Sequence, residues 1–394
     1  MSLLGHFVPL RNVPNGTMEV YMKVIISAAG TGGHINPGIA IANKIKQENP
    51  KSEIMFIGTV RGLENDLVPR AGYKLKTIDA YGFSRKISIS NVKKLYRTLK
   101  SIKQAKQIIY NFKPDIVIGT GGYICGPVFI ASNKYNIPTI LHESNAFPGV
   151  TVKMLASRTN TILVAFKDAK DRLNKFKNVV VTGTPTKVKR LSLSQEKINS
   201  IKRNLGFDCD KPLVLIFGGS QGAQSINNSL IEIIKKKLNI GYQIMWACGP
   251  KQYDIIKEDL EKVHININNI KNIKIIPYIY NMEEIMNVVD LLVCRSGAMT
   301  ITEISTVGKP AIFIPFPFAT ENHQEYNARV LEKVGAATII LDKDLNANVL
   351  NTKINELIKN PDKLIDMGDN ARKICISDVE NNIYKEIKKL LNNI

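Results

Sequence analysis

The sequence predicts an α/β fold built from two Rossmann-like domains that face each other across a cleft. Two similar units of strand, glycine loop and helix lie about half a chain apart, the first from residue 23 and the second from residue 212. The apolar runs between them lack the alternation of a half-exposed strand, as expected for parallel strands that are buried on both faces. A length of 394 residues also exceeds what one hydrophobic core usually serves, which favours two domains.

Strands and helices alternate along the first half of the chain. Strands are predicted at 23–28, 54–57, 116–118, 138–141, 161–165 and 179–182. Helices are predicted at 36–47, 63–70, 91–112, 124–134 and 149–157. This alternation indicates βα units and therefore a parallel sheet.

A second series of strands begins at Leu213, with strands predicted at 213–217, 243–247, 273–276, 291–294, 311–314 and 338–341. A polar helix is predicted at 194–204, and helical stretches at 361–376 and 380–393 end the chain. We therefore divide the chain into an extension 1–21 that could be disordered, an N-terminal domain 22–185, a linker 186–210, a C-terminal domain 211–376 and a last helix 377–394 that could pack back on the N-terminal domain.

The chain is strongly basic, with a net charge of +20. Nucleic acid, an anionic membrane and anionic substrates would each account for such a charge, as would a biased base composition of the genome. Between Tyr81 and Pro114 there are nine basic residues and no acidic one, and the helix at 91–112 is amphipathic. This pattern favours an anionic membrane surface over a solvated surface helix, and no motif for nucleic acid appears.

The cysteine spacing and the length of the apolar runs further limit the class of protein. The five cysteines include no CxxC pair, which is typical of reduced thiols in a cytosolic protein. No apolar run approaches the roughly 20 residues that a membrane span requires.

The first glycine loop, residues 30–34, offers backbone N–H groups at the start of a helix, which is a natural anion site. It is not a dinucleotide fingerprint, because Ile35 stands at the third glycine position and no acid ends the second strand. A histidine at this place, His34, is a candidate general base. The alternatives are a tight turn and a polar residue that solvates the helix start.

The second glycine loop, residues 218–222, lacks the lysine of an ATP-binding P-loop, but its N–H groups and the Ser220 hydroxyl suit a diphosphate. Glu303, two turns into a helix, could accept hydrogen bonds from a ribose diol, or it could simply be solvated. His323 and Gln324 suit sugar hydroxyls, although polar residues also cap helices. Two D-x-D strings, at 208–210 and 342–344, are interpreted as loops, so no protein-held metal site is predicted.

Six strings in order then resemble the MurG family of bacterial N-acetylglucosaminyltransferases. They are GTGGH at 30–34, GTGGY at 119–123, HESN at 142–145, GGSQGA at 218–223, CRSGAMTITE at 294–303 and HQEYNA at 323–328, and the resemblance spans about 23–390.

The resemblance implies a GT-B fold and a metal-independent, inverting transfer. N-acetylglucosamine would pass from UDP-N-acetylglucosamine to the C4 hydroxyl of the MurNAc of lipid I, giving lipid II and UDP in peptidoglycan synthesis, with His34 as the base. The implied partners are these two substrates, the anionic cytoplasmic face of the cell membrane, where the protein would be peripheral, and the cell-wall synthesis machinery. No cofactor and no nucleic acid are implied.

The implied binding residues follow from the matched motifs. Donor-binding residues would be Thr31, Gly32, Gly33, Lys187, Ser220, Gln221, Gly222, Tyr278, Ile279, Ser296, Gly297, Ala298, Met299, Thr300, Glu303, His323 and Gln324. Acceptor-binding residues would be Gly30, Thr31, Gly121, Gly122, Tyr123, Glu143 and Asn145.

Two departures from the family pattern concern the donor site. Where many relatives have GNPVR, this chain has GTPTK at 183–187, and the lysine supplies charge without the two-pronged geometry of arginine. His323 stands where some relatives carry glutamine. The alternatives are a transferase for another lipid acceptor such as diacylglycerol, a non-catalytic nucleotide-sugar-binding protein, and a dehydrogenase.

Overall fold

The computed structural model describes residues 21–81, 90–219, 222–267, 270 and 272–392; within 90–96 it describes the helical backbone only. The chain divides into two compact units. The first unit comprises residues 1–186 and 376–394, and the second comprises residues 187–375. The extension 1–21 predicted from the sequence lies outside the described residues except for Tyr21.

The first unit is built on a parallel sheet. Its strands are β1 (Lys23–Ser27), β2 (Glu53–Thr59), β3 (Lys74–Ile78), β4 (Ile116–Gly119), β5 (Thr139–Glu143), β6 (Thr161–Val164) and β7 (Val179–Val181). They lie in the order β3-β2-β1-β4-β5-β6-β7, and every pair is parallel. The strand order reverses between β1 and β4, which is where ligands bind in sheets of this type.

Helices cover both faces of this sheet. They are α1 (Gly32–Glu48), α2 (Glu64–Arg70), α3 (Ser90–Phe112), α4 (Cys125–Lys134), α5 (Val150–Leu155) and α6 (Lys167–Arg172). Neighbouring residues of one strand enter different cores: Ile25 packs in the cluster under α3 and α4, whereas Val24 and Ile26 pack in the cluster under α1. Both faces are therefore apolar, which explains why these strands lack alternation in the sequence.

The second unit repeats this plan. Its strands are β8 (Leu213–Phe217), β9 (Gln243–Ala247), β10 (Ile273–Ile276), β11 (Leu291–Cys294), β12 (Ala311–Phe313) and β13 (Ala337–Ile339). Its helices are α7 (Gln195–Asn204), α8 (Gln224–Lys235), α9 (Pro250–Glu261), α10 (Met282–Val288), α11 (Ala298–Val307), α12 (His323–Lys333), α13 (Ala347–Ile358) and α14 (Pro361–Lys373). The strand order is β10-β9-β8-β11-β12-β13, all parallel, with its reversal between β8 and β11. The prediction of two Rossmann-like domains is confirmed.

The last helix, α15 (Val379–Asn392), belongs to the first unit although it follows the second in sequence. Ile383 and Ile387 are buried in the core under α1, and the Asn49 side chain donates a hydrogen bond of 2.9 Å to the Tyr384 hydroxyl. The chain therefore passes from the first unit to the second and returns.

The segment predicted as a linker is folded and belongs to the second unit from Lys187 onward. The backbone N–H of Leu191 donates to the Asn287 side chain at 2.9 Å. The buried Lys202 of α7 pairs with Asp290 at 2.9 Å. These contacts fasten the segment to the sheet that it precedes.

Two features of the first unit differ from the sequence prediction. Strand β3 was not predicted, because it is an exposed edge strand whose Lys74 and Lys76 break the apolar pattern. The helical spacing of apolar residues over 91–112 predicts Leu99 on the apolar face, but α3 buries Ser101, Ala105 and Ile109 and leaves Leu99 60% exposed.

Candidate active site

The loop after β1 leads directly into helix α1. Thr31 is the N-cap, and the N–H of His34 closes the first turn onto the Thr31 carbonyl at 3.0 Å. Within the described residues the N–H groups of Gly32 and Gly33 have no acceptor, as is usual in a first helical turn. This loop therefore presents two N–H donors at the positive end of a 17-residue helix, where an anion is stabilised.

The His34 ring is held in one orientation beside this loop. Its Nδ1 lies 3.2 Å from the Ala29 carbonyl oxygen. A carbonyl only accepts hydrogen bonds, so Nδ1 carries the proton and a neutral ring presents a lone pair at Nε2. Burial lowers the pKa of His34, and the bond to Ala29 opposes this effect only in part. A neutral imidazole with one nitrogen fixed is the form that a general base requires.

The glycine turn after β4 packs against the same ring. Gly121 has a φ of +116°, and a Cβ there would lie 2.5 Å from His34 Cδ2. The Thr120 hydroxyl donates to the His34 carbonyl at 2.7 Å. Tyr123, which follows the turn, is 39% exposed. The structure thus brings together His34 and the predicted glycines 121 and 122.

The loop after β5 uses its predicted acceptor residues internally. The Glu143 carboxylate accepts hydrogen bonds from the Asn145 backbone N–H at 2.8 Å, the Asn145 amide at 2.9 Å and the Gly149 N–H at 2.7 Å. His142, behind them, is fully buried and shares a 2.9 Å hydrogen bond with the Gly183 carbonyl. Burial lowers its pKa to about 4. This loop is therefore rigidly shaped by its own polar groups.

In the second unit the glycine loop after β8 adjoins helix α8. A Cβ on Gly222, whose φ is +76°, would lie 2.3 Å from the Cys248 carbonyl oxygen, so only glycine fits. The predicted donor residues Ser220 and Gln221 lie outside the described residues.

The loop after β11 is fastened to helix α12. The buried Ser296 donates through its hydroxyl to the Gln324 carbonyl at 2.8 Å, and the Asn327 amide donates to the Ser296 carbonyl at 3.2 Å. Gly297 is the N-cap of α11, and the predicted residues Ala298, Met299 and Thr300 form its first turn. Their N–H groups lie at the carboxyl end of the strand next to β8.

Glu303 lies half-buried on α11, and no described residue donates a hydrogen bond to its carboxylate. Burial raises its pKa to about 7. A carboxylate that has lost water and gained no protein partner favours a ligand that donates hydrogen bonds, such as a diol.

The loop after β10 contains an exposed tyrosine and a buried isoleucine. Tyr278 is 45% exposed and contacts Tyr280 edge to face at 5.1 Å between ring centroids. Ile279 is buried, and neither its N–H nor its carbonyl has a backbone partner among the described residues. A planar base could therefore pair with the main chain of Ile279.

Two polar side chains at the start of α12 already form hydrogen bonds within the protein. His323 Nδ1 donates to the Thr320 carbonyl at 2.8 Å. The Gln324 side-chain oxygen accepts from the Phe316 N–H at 3.0 Å, which leaves its NH₂ group as a donor. Lys187 is exposed at the first position of the second unit.

Comparison with known proteins agrees with this geometry. The glycosyltransferase family 28 N-terminal domain matches residues 24–164, and the C-terminal domain of the same family matches residues 213–389. An N-acetylglucosamine transferase of Acetivibrio thermocellus, which acts on N-acetylmuramyl-(pentapeptide) pyrophosphoryl-undecaprenol, is 44% identical over 94% of this chain and 99% of its own. The chain belongs to the MurG family.

Two further relatives support the assignment. A Bacillus cereus protein of the same description is 42% identical over 94% of this chain and its whole length. The crystal structure of Acinetobacter baumannii MurG covers 93% of this chain and 99% of its own, with a TM-score of 0.74 and 28% identity. The MurG family fold predicted from the six motifs is confirmed.

The structure of this MurG family member also contains site residues that the sequence reasoning missed. The Arg295 guanidinium bonds to Asp342 at 2.5 Å, to the Ser225 hydroxyl at 2.9 Å and to the Ile314 and Pro315 carbonyls at 2.9 and 3.1 Å. It thereby ties together the loops after β11, β12 and β13 and the start of α8. The sequence feature that could have indicated this contact is the D-x-D string at 342–344, which directly follows a strand.

A second missed residue is Glu64, at the start of α2. Its carboxylate is fully buried and accepts hydrogen bonds from the Gly30 N–H at 2.9 Å, the Thr59 N–H at 2.8 Å and the Thr59 hydroxyl at 2.7 Å. The Gly30 N–H, predicted to serve the acceptor, is thus occupied. The sequence feature that could have indicated this buried carboxylate is an acidic residue preceded by glycines at 58 and 62.

Among the described residues, no group of three or more His, Cys, Asp and Glu side chains is arranged to hold a metal ion. None of the helices in that part of the chain has the length and apolarity to cross a membrane.

Proposed function

We propose that the protein transfers N-acetylglucosamine from UDP-N-acetylglucosamine to the C4 hydroxyl of the MurNAc of lipid I, forming lipid II and UDP in peptidoglycan synthesis. The observation that carries this proposal is His34, fixed through Nδ1, beside two N–H groups at a helix start; neither its Nε2 nor those N–H groups have a hydrogen-bond partner among the described residues. The activity for which relatives at 41–44% identity are named supports the same substrates.

The proposed step begins when His34 Nε2 accepts the proton of the acceptor hydroxyl. The hydroxyl oxygen bonds to the anomeric carbon of the donor sugar while the bond from that carbon to the diphosphate oxygen breaks. UDP leaves with the electron pair, and attack from the opposite side inverts the configuration. Negative charge grows on the diphosphate, and fixed N–H groups at a helix start stabilise it without the reorganisation that water would need. No metal or cofactor takes part in the proposal.

In the proposed donor site, the second unit binds UDP-N-acetylglucosamine. Glu303 accepts the ribose hydroxyls, and the Ile279 main chain pairs with the uracil beside Tyr278. The loop ending at Gly222, with the first turn of α11, faces the diphosphate. Gln324, through its free NH₂ group, donates to a sugar hydroxyl.

In the proposed acceptor site, the first unit holds the diphosphate of lipid I. The glycine loop at 30–33, with the Thr31 hydroxyl, binds it through its N–H groups, although the family resemblance also assigns Thr31, Gly32 and Gly33 to the donor. The Gly121 turn and Tyr123 border this site, and Asn145 shapes it through Glu143.

We further propose that the first unit binds the anionic cytoplasmic face of the membrane peripherally. A cavity of about 710 Å³ between α3 and α4 is lined by Lys106, Lys134 and Arg158 together with Ile130. Beside it, Tyr110 and Tyr135 form an exposed ring pair with centroids 6.3 Å apart. Cations next to exposed aromatic rings suit phosphate headgroups and the lipid interface.

The test of the transfer uses the purified full chain, labelled UDP-N-acetylglucosamine and a lipid I analogue. We expect His34→Ala to lower kcat by about 10²–10⁴-fold, the usual contribution of a general base, with donor affinity unchanged. The matched control is His264→Ala, since His264 is exposed in the second unit. Donor binding without product from the wild type would contradict the proposal, and product with diacylglycerol but not lipid I would favour the other acceptor.

The test of membrane binding uses sedimentation with vesicles. We expect binding to vesicles that contain phosphatidylglycerol. Each unit of positive charge lost near the surface should weaken it by about 1 kcal/mol, and Lys106→Glu and Lys134→Glu each change the charge by two units. Lys251→Glu, on an exposed lysine of the second unit, is the control. Equal binding of all variants, or equal binding to neutral vesicles, would refute this surface.

A further inference from the structure

One peptide group joins the candidate base to a buried acid. The carbonyl of Ala29 accepts the hydrogen bond from His34 Nδ1 at 3.2 Å. The N–H of Gly30, which belongs to the same peptide group, donates to the Glu64 carboxylate at 2.9 Å. The C=O and N–H of a trans peptide point in opposite directions, so His34 and Glu64 lie on opposite sides of one rigid unit.

The surrounding chain holds the Glu64 carboxylate in this position. It is fully buried, and no described Lys, Arg or His lies within ion-pair distance. A Cβ at Gly62 would lie 1.9 Å from Glu64 Oε2, and one at Gly58 would lie 2.6 Å from Glu64 Cγ. The two glycines therefore leave the space that the Glu64 side chain occupies. Burial raises the pKa of Glu64, but hydrogen bonds from Thr59 and Gly30 outweigh it and the pKa lies below its ordinary value. The group is therefore an anion at neutral pH.

An anion on the N–H of an amide draws electron density toward its carbonyl oxygen, because hydrogen bonds in a chain polarise one another by about 10–30% each. A more negative Ala29 oxygen holds the Nδ1 proton of His34 more firmly. It also stabilises the positive charge that the ring acquires when Nε2 takes a proton. A directly bonded aspartate performs this task in serine hydrolases.

We propose that Glu64 is a positioning residue that fixes the tautomer and basicity of His34 through the Ala29–Gly30 peptide. The inference rests on the proposed role of His34 as base. Glu64 contacts neither substrate in this scheme and acts only through the shared amide.

Other titratable groups near the ring are few among the described residues. The Cys125 thiol lies under the Gly121 turn, with its Sγ 3.3 Å from the Gly121 carbonyl oxygen. Burial raises the pKa of Cys125 to about 11, so it is neutral in the relevant range. Glu143 acts electrostatically on Cys125 and is bonded within its own loop. The anion that shares an amide with His34 is Glu64.

The test is Glu64→Gln in the full-length protein, with the His34 pKa and tautomer measured by NMR of ¹⁵N-labelled histidine. A glutamine oxygen is best placed toward the two Thr59 donors, which turns the NH₂ group toward the Gly30 N–H and removes the acceptor there. We expect the His34 pKa to fall by about half a pH unit or more and kcat to fall about tenfold, with donor KM within twofold of wild type. The acidic limb of the kcat/KM profile should move to lower pH by the same amount.

The matched control is Thr59→Val, which removes one hydrogen bond to Glu64 Oε1 and leaves the Gly30 bond to Oε2 in place. It should cost similar stability and leave the His34 pKa unchanged. An unchanged His34 pKa in Glu64→Gln would overturn the proposal, and so would a wild-type His34 protonated at Nε2 rather than Nδ1. The tautomer of His34 is measured in the wild type, so that result does not depend on whether a variant folds. The pKa and the tautomer are both measured on the His34 ring and not through turnover. A failure of this proposal can therefore be distinguished from a failure of the transfer assay.

Discussion

Replacing Glu303 with glutamine should make the second unit more stable above pH 7. Burial raises the pKa of Glu303 from 4.5 to about 7. Between pH 4.5 and about 7 the Glu303 carboxyl is therefore protonated in the folded state but ionised in the unfolded state. The free energy of unfolding falls as the pH rises through that window. Above pH 7 the folded protein carries an unpaired, half-buried carboxylate at a cost of about 3 kcal/mol.

Glu303→Gln keeps the shape and removes this cost. At pH 8 we expect the variant to melt about 6–12 °C above wild type, given the usual relation between free energy and Tm for a unit of this size. At pH 5.5 the gain should shrink to less than half, because most of the wild-type carboxyl is then protonated when folded. Calorimetric scans of both proteins at the two pH values measure this.

The same carboxylate should make donor binding depend on pH. If the ionised form accepts the ribose hydroxyls, UDP-N-acetylglucosamine should bind wild type about tenfold more weakly at pH 6 than at pH 8, since one pH unit below the pKa leaves about a tenth of the group ionised. Titration calorimetry of Glu303→Gln should show weaker binding without this dependence. A variant no more stable than wild type at pH 8, together with pH-independent binding by wild type, would refute the reasoning.

Two other predictions follow from contacts in the two sites. Gly121→Ala should lower kcat at least tenfold, because its Cβ would lie 2.5 Å from His34 Cδ2, whereas Gly126→Ala, with open space around it, should match wild type; equal kcat for both would contradict the packing. Asp342→Asn leaves the Arg295 charge unpaired and should destabilise the second unit by about 3 kcal/mol and raise donor KM, as thermal unfolding and initial rates would show. Conversely, an Asp342→Asn protein with wild-type Tm would show that the pair does not hold the loops.

Much of the fold was predictable because its signals are local. The strands around Ile25 and Val214 are uniformly apolar, and each is followed by glycines and a helix. These patterns determine both parallel sheets and the carboxyl edge at which polar residues gather. Strand β3 was not predicted because an edge strand exposes most of its side chains. Lys74 and Lys76 therefore interrupt the apolar pattern by which buried strands are recognised.

The sequence motifs indicate which loops carry candidate site residues, but not which hydrogen bonds those residues form. His34 and Glu303 stand out because each belongs to a motif that begins at a strand end and continues into a helix. The partners of Glu64 and Asp342 come from distant loops, and spacing along the chain does not reveal which donors a carboxylate meets. Glu143 shows the same limit: its motif marks the loop, whereas only the structure shows that its carboxylate bonds to that loop's own backbone.

The position of α15 has a consequence for synthesis. A ribosome releases Ile383 and Ile387 only after the entire second unit has emerged, yet these side chains complete the interior beneath α1. The domain that starts first is therefore finished last, and until then its apolar groove stays open to chaperones or to misassembly. A stop codon just before Val379 would leave that groove permanently uncovered while sparing every residue of the second unit.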